Sequence, residues 1–360
     1  MPMPPKYQKI ADELRIHIEA GKYRSSSTLP TEFSIAQEYQ VSRQTVRQAL
    51  SLLAKDGLIE KRQGSGSHIL SHEPPQPEVP HRTVAVITTY ISDYIFPTVL
   101  REAEDVFSQH NCTPSLFATQ NQVSNERKVL KNLLQMPVDG ILVEGTKTAL
   151  PNPNIDLYQQ LIRQGIPLVF MHGNYAELQG ACYVLDDNFG GGRQLVRYLA
   201  EKGHTRIAGI FKGDDIQGHG RFAGYAAGLR EAGLSVDDAH VFWYHTSTKE
   251  RIMSSPVDQV PPELLSAVEG CTAVVCYNDE IASHLEALLL HSGYHIPQDI
   301  AVVSFDNSRF SELAPVPLTS LSHAPYNVGR IAAEKLLQMM DRETCDPMLI
   351  PWSLIQRQSG

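Results

Sequence analysis

Arg43, Gln44, Thr45 and Arg47 fall within five consecutive positions, and side chains of these types hydrogen-bond guanine or adenine edges and phosphate oxygens. Val46, Ala49, Leu50 and Leu53 run through the same stretch at helical spacing. This predicts an amphipathic helix with Ser42 as N-cap and the polar group on its outer face, near the N-terminus. Recognition helices present that end to the major groove. A second set of reactive types is spread over the rest of the chain: Tyr90, Asp93, Glu144, His172, Lys212, Asn278 and Asp306. Most of them follow short apolar runs. Guanidinium, carboxamide and carboxylate groups bind vicinal hydroxyls in pairs, and aromatic rings cover the C–H face of a sugar, so the group suits a small polyhydroxylated ligand. Singly, each has a plainer reading. Asp and Asn after strands commonly cap helices, and Asp187 and Asp279 are read as caps first.

The first set needs a frame. Lys6–Ala20 predicts a helix with Tyr7, Ile10, Ala11, Leu14 and Ile18 on one face, stopped by Gly21, and Ser25-Ser26-Ser27 reads as a polar loop. Thr31 caps a short helix over Glu32–Tyr39, with Phe33, Ala36 and Gln37 spaced to present one face. Gln40-Val41 breaks the chain before the helix that Ser42 opens and Gly57 ends. Leu58–Arg62 and Ser67–Leu70 then predict a hairpin around Gln63-Gly64-Ser65-Gly66, with Lys61, Arg62 and His68 near its tip. Such a hairpin can rest on a duplex backbone or enter a minor groove. A pair of solvated amphipathic helices alone would be ordinary. The order helix, helix, basic glycine hairpin is more specific.

Charge is distributed to match. The net charge of −9 argues against general nucleic-acid binding, yet residues 1–72 hold ten Lys/Arg against seven Asp/Glu, and the remainder 21 against 33. A mildly basic head on an acidic body fits DNA contact confined to one end. Three hundred and sixty residues suit two or three domains. Five cysteines, Cys112, Cys182, Cys271, Cys276 and Cys345, show no metal spacing and are odd in number, which predicts reduced, mostly buried thiols. The N-terminal MPMPPKYQK lacks an apolar signal stretch and no run approaches a membrane span, so a soluble, cytoplasmic protein without membrane contact is expected.

Ser71–Arg82, with Pro74, Pro75, Pro77 and Pro80, reads as an extended linker able to span about 35–40 Å. From Thr83 the pattern alternates. Strands are expected at Val84–Thr88, Ser115–Ala118, Gly140–Val143, Pro167–Met171 and Tyr183–Leu185, with helices at Thr98–Gln109, Glu126–Gln135 and Leu157–Gln164. A second series has helices at Arg193–Lys202, Arg221–Ala232 and Glu280–Ser292 and strands at Ile207–Phe211, Ala273–Cys276 and Ile300–Phe305. Alternation of this kind implies parallel sheets covered on both faces, and two series imply two lobes. Ligands in such sheets sit beyond the carboxyl ends of the strands, here in a cleft between lobes.

Residues 5–70 resemble the winged-helix domain of the GntR family, on Leu29-Pro30-Thr31-Glu32, Ser42-Arg43-Gln44-Thr45-Val46-Arg47-Gln48-Ala49-Leu50 and Gly57-Leu58-Ile59 followed by Gly64-Ser65-Gly66. The resemblance implies operator DNA as partner, with Glu32, Ser42, Arg43, Gln44, Thr45, Arg47, Gln63, Gly66 and His68 at the interface. Residues 83–360 resemble the LacI-family effector domain, of periplasmic sugar-binding fold. The matching pieces include Val138-Asp139-Gly140-Ile141-Leu142, Gly203-His204-Thr205-Arg206-Ile207-Ala208, Gly224-Tyr225-Ala226-Ala227-Gly228-Leu229 and Ile296-Pro297-Gln298-Asp299-Ile300-Ala301-Val302-Val303-Ser304-Phe305-Asp306. By that pattern Arg221, Asn278 and Asp306 are sugar-binding positions and His323 faces the ligand, while His172 stands where relatives carry an acidic residue. The combination is similar to the AraR-type family of arabinose repressors, through Ile87–Pro97, Val143–Thr148 and Cys276–Ala282. It implies L-arabinose as effector, with Tyr90, Asp93, Glu144 and Lys212 as further contacts. No cofactor is expected, and a homodimer is expected because one small head makes too few contacts for tight specific binding. The expected fold class is thus α/β: a winged helix-turn-helix at 1–70, a Pro-rich linker at 71–82, and a two-lobed LacI-type domain at 83–360 with hinge crossings near 185, 322 and 343.

Two other classes compete. A hydrolase could use Asp93, Glu144 and Asp306 as acid and base, but no Walker loop, HExxH, GxSxG or dinucleotide fingerprint is present, and Gly190-Gly191-Gly192 lacks the spacing. The DNA-binding head would also be unexplained in an enzyme, and a sugar-binding protein for transport is not expected without a signal peptide or lipid-attachment cysteine.

Overall fold

The computed structural model describes residues 5–20, 22–23, 28–62, 65–70, 81–254 and 261–360. These fall into two units, 1–80 and 81–360.

In the first unit α1 (Lys6–Glu19), α2 (Glu32–Glu38) and α3 (Arg43–Lys55) precede an antiparallel hairpin of β1 (Ile59–Arg62) and β2 (Gly66–Ile69). Thr31 accepts from the Ser34 amide and Ser42 from the Thr45 amide, so both caps act as the sequence predicts. Val46, Ala49, Leu50 and Leu53 of α3 bury against Ile10, Leu14 and Ile18 of α1. Phe33, expected to share one face with Ala36 and Gln37, does not point inward. It is 59% exposed, and Ile35 fills the core in its place. The predicted stop at Gly21, the Ser25–Ser27 loop, the tip residues Gln63 and Gly64, and the linker up to Pro80 lie outside the described residues.

The second unit holds two six-stranded sheets. In lobe 1 the chain runs β3 (Arg82–Thr88), α4 (Phe96–Gln109), β4 (Cys112–Ala118), α5 (Val123–Leu133), β5 (Gly140–Val143), α6 (Ile155–Arg163), β6 (Leu168–Met171) and β7 (Cys182–Asp186). Lobe 2 follows with α7 (Asn188–Glu201), β8 (Ile207–Lys212), α8 (Ile216–Glu231), β9 (Val241–Tyr244), α9 (Thr246–Ser254) and α10 (Pro262–Val268). It continues with β10 (Ala273–Cys276), α11 (Asp279–His291), β11 (Ala301–Phe305), α12 (Arg309–Leu313) and β12 (Thr319–Ser322). The chain returns to lobe 1 for α13 (Val328–Met340) and β13 (Met348–Ile350), then ends in lobe 2 with β14 (Ser353–Ile355). The strand orders are β13-β7-β6-β5-β3-β4 and β14-β12-β11-β10-β8-β9, parallel throughout except β14 against β12.

Period-two alternation feeds two cores per sheet. On β3, Val84 and Val86 face one helix layer, and Ala85 and Ile87 the other. On β10, Val274 and Cys276 face one, and Ala273 and Val275 the other. Helices α7 and α8 pack backbone to backbone: a Cβ on Gly192 would stand 2.1 Å from the Arg221 carbonyl oxygen, and one on Gly224 2.0 Å from that of Phe189. The triple glycine is therefore a close-packing device that seats Arg221.

Three expectations are corrected. Arg82 is the first residue of β3, paired with Cys112 and bridged to Asp341 at 2.6 Å, and not the last of the linker. The third crossing falls between β13 and β14, later than 343, because Met348–Ile350 still pairs with β7. Cys182 and Cys345 are joined as a disulfide across 163 residues, where reduced thiols were expected; Cys112, Cys271 and Cys276 are free and buried. The elements β9, α9, α10, α12, α13, β12, β13 and β14 had no counterpart in the expected order.

Candidate functional site

In the first unit the outer face of α3 exposes Arg43, Gln44 and Arg47, with Thr45 half-buried. Glu32 of α2 reaches across to both guanidiniums, 2.9 Å from Arg47 Nε and 3.7 Å from Arg43 Nη2. It fixes two long cations that would otherwise sample many rotamers. A carboxylate set against phosphate would repel, so Glu32 suits orienting these arginines better than touching a duplex. In the wing, Glu60 faces His68 and Arg62 faces Gly66 across the ladder. Gly66 has φ +88°, a conformation that favours glycine. His68 Nε2 lies 2.7 Å from Ser65 Oγ, Lys61 Nζ donates to Ser51 Oγ at 3.0 Å, and Arg62 pairs with Glu60 at 2.9 Å. Gln63 lies outside the described residues.

In the second unit the carboxyl ends of the strands from both lobes close on one cleft, with about 640 Å³ of empty space. It is lined by Tyr90, Asp93, Glu144, His172, Lys212, Arg221, Asn278 and Asp306, the set assembled from sequence. Arg221, on α8, is 1% exposed. Its Nε donates to Asn188 Oδ1 at 2.9 Å and its Nη2 to Asp306 Oδ1 at 3.2 Å, while Nη1 donates to the Tyr277 carbonyl. The guanidinium lies over the rings of Phe305 (4.2 Å) and Tyr277 (4.7 Å). Glu144 receives three bonds on Oε2, from the Thr89 amide and the Thr89 and Thr88 hydroxyls, and among the described residues none reaches Oε1. Burial pushes its carboxyl above the ordinary range despite His172 nearby. Lys212 ends β8 against Asp215; burial disfavours its charge, but Asp215 prevails and holds the ammonium above its ordinary value. Asp93 sits exposed at the rim, and Lys249 stands 5.6 Å over the Tyr90 ring.

Asn278, and not Asp279, caps α11: its Oδ1 accepts from the Ile281 amide, which turns the rest of its carboxamide to the cleft. Asp279 lies inside, accepting from Ser304, Ser320 and the Ser308 amide; burial and neighbouring Asp306 push it up to about 7. Asp187 does cap α7, through Gly190.

His323 departs from its expected place. It does not line the cleft but stacks on Trp352 at 3.9 Å, behind the wall, with Nε2 2.8 Å from Asp186 Oδ1. Asp186 Oδ2 lies 3.5 Å from His172 Nδ1 and accepts from Gln217 Nε2 at 2.9 Å, and Gln217 in turn accepts from the Tyr277 hydroxyl at 3.0 Å. The two histidines hold Asp186 well below the carboxylate range in spite of burial. Burial likewise works against the His172 cation, but Asp186, with Glu144 and Asp306, holds it up to about 9. Its Nε2 is buried and unpartnered. Tyr94, His172 and Asp306 all sit at positive φ (55°, 63° and 93°), strained backbone of the kind that gathers at binding sites.

Sequence reasoning passed over Asp186, Gln217, Tyr244 and Lys249, all of which line the cleft. The expected start of α8 at Arg221 cut off its first turn, the strand before the hinge was ended one residue early, and the segment holding β9 and α9 had been given no elements. Within the described residues no helix is long and apolar enough to cross a membrane.

Residues 6–69 match the gntR family of bacterial regulatory proteins, and 196–360 the periplasmic binding protein-like domain. The arabinose metabolism transcriptional repressor of Geobacillus stearothermophilus is 36% identical over 95% of this chain and 93% of its own length. That of Halalkalibacterium halodurans is 33% identical over 96% and 92%. The cellobiose complex of the transcriptional regulator CelR shares the fold with a TM-score of 0.66 and 24% identity, covering 92% of this chain and all of that one. Kinship of this extent, running through both the head and the two-lobed body, shows the family. The chain belongs to the arabinose metabolism transcriptional repressors, sugar-responsive DNA-binding regulators and not enzymes.

Proposed function

We propose that residues 1–70 read operator DNA through α3 and the β1–β2 wing, and that the cleft of the body from Arg82 onward binds L-arabinose and thereby weakens the hold on DNA. The observation that carries the effector reading is the convergence of Arg221, Asn278, Asp306, Glu144, Lys212 and His172 on one small space between lobes. Charged donors and acceptors paired with each other suit a neutral polyol. Each can offer a hydroxyl a strong hydrogen bond without requiring a ligand of net charge. The Glu144 Oε1 and the buried His172 Nε2 give one acceptor and one donor awaiting partners. The identity of the sugar follows the two relatives named for arabinose metabolism.

On the head, Arg43, Gln44, Thr45 and Arg47 contact base edges and phosphates, Ser42 and Glu32 hold the helix start and the arginines in place, and Gln63, Gly66 and His68 bring the wing to the backbone. A single small head makes too few contacts for tight specific binding at physiological salt, so the body forms a homodimer that places two heads on two half-sites. The sugar closes the lobes on itself and shifts the population of body arrangements. To move the operator from mostly bound to mostly free it must favour one arrangement by several kcal/mol.

Calorimetric titration with L-arabinose, D-xylose, D-galactose, D-glucose and D-ribose tests the effector. Selective binding of arabinose is the expected result. Selective binding of another sugar would keep the repressor and discard arabinose, and silence from all five would remove the sugar reading of the cleft.

A further inference from the structure

The cleft shares a wall with a second open space of about 1420 Å³, and Tyr94, Ile95, His172 and Asp306 line both. Tyr94 is the central part of that wall. It belongs to lobe 1, yet its hydroxyl donates to Asp306 Oδ2 of lobe 2 at 2.7 Å and accepts from the Asp279 amide at 3.2 Å, and its ring lies 5.9 Å from Phe310. Its backbone has φ +55°, uncommon for an aromatic residue, so the surroundings hold the phenol where it stands. The space beyond carries the same chemistry as the cleft. Glu102, Asn307, Arg309 and Asn327 supply donors and acceptors, and His323 and Tyr326 supply rings.

We propose that Tyr94 sets the length of the ligand: it seals the cleft to a single sugar ring, and the space behind it is a second carbohydrate subsite that a disaccharide reaches only when the phenol is gone. This rests on the sugar reading of the cleft. The hydrogen bond to a buried carboxylate keeps the phenol from swinging aside, and the ring stands with Ile95, His172 and Asp306 in the wall that the two spaces share. His323, absent from the cleft wall, lines this second space.

The test titrates the wild-type full chain, Tyr94→Ala and Tyr94→Ala/Thr98→Trp with L-arabinose and with L-arabinobiose. Wild type should prefer the monosaccharide by about tenfold or more, Tyr94→Ala should bind the disaccharide about tenfold more tightly than wild type does, and the tryptophan, placed to fill the second space, should abolish that gain. Three results would overturn the proposal: equal binding of both sugars by wild type, a folded Tyr94→Ala protein that gains nothing, or a gain that survives Thr98→Trp. If Tyr94→Ala does not fold, Tyr94→Leu takes its place, and the wild-type comparison stands without any variant. Failure of wild type to bind arabinose itself would instead refute the sugar reading beneath the proposal.

Discussion

Arg221→Ala is the most informative perturbation of the cleft. The guanidinium is 1% exposed and faces Asp306, whose side chain is 7% exposed. Removing the cation leaves a carboxylate buried with, among the described residues, the Tyr94 hydroxyl on its other oxygen. Breaking a buried pair from one side costs about 3–5 kcal/mol, because the remaining charge stays buried without the cation that balanced it. Removing both charges in Arg221→Met/Asp306→Asn should restore about 2 kcal/mol or more of that, as the orphaned charge is gone and the methionine still packs on Phe305 and Tyr277. Urea unfolding followed by tryptophan fluorescence reads this well: Trp352 lies 5.6 Å from the guanidinium and Trp243 is in the same lobe. Calorimetry should find sugar binding lost in both variants and operator binding kept in both. A loss of less than about 1 kcal/mol in Arg221→Ala, or a double variant no more stable than the single, would refute the buried-pair reasoning. Normal sugar binding in either variant would move the site elsewhere.

Other outcomes follow from the same geometry. Arg47→Ala, on the exposed face of α3, should lower operator affinity while leaving sugar binding intact, and a fluorescence anisotropy titration that shows no loss would contradict the recognition-helix assignment. The pH dependence of stability should carry a His172 component. Its pKa of about 9 in the folded chain exceeds the roughly 6.5 of a free imidazole, so its stabilisation is complete below about pH 6.5 and is lost as pH rises through about 9. Glu286, raised to about 8 by burial, and Asp279, raised to about 7, also favour the low-pH side. The His172 share is therefore read as the difference between wild type and His172→Gln, and identical urea midpoints across that window would remove it. Gly192→Ala sets a methyl 2.1 Å from the Arg221 carbonyl, so it should cost about 1–3 kcal/mol and weaken sugar binding by displacing Arg221; unchanged melting and affinity would show that α7 and α8 can part freely.

The parts of this fold that could be read from the residues are those where one physical signal dominates. Gly140–Val143 and Ala273–Cys276 are central strands buried on both faces, so they stand out as unbroken apolar runs with sharp ends, and their expected and observed bounds coincide. The caps Thr31, Ser42 and Asp187 were equally legible, since a short polar side chain before a periodic helix has one common use. Thr319–Ser322 shows where this fails. All four residues of β12 are buried, but three are polar, their hydroxyls bonded to Asp279, to the Arg357 backbone and to the Ala324 amide, so the stretch has no hydrophobic signature. The disulfide and the Asp186 network depend on residues far apart in the chain, which spacing cannot reveal. Phe33 against Ile35 shows a weaker limit: in a seven-residue helix two faces fit the pattern about equally well, and only the packing against α3 decides.

The central claim is that sugar in the cleft loosens the head from DNA. Anisotropy of labelled operator DNA, held by wild type and by Arg221→Ala and titrated with L-arabinose, tests it most directly. The account predicts release from wild type and retention by the variant at every sugar concentration. Release from both, or arabinose bound by wild type in calorimetry with the operator still held, would contradict it.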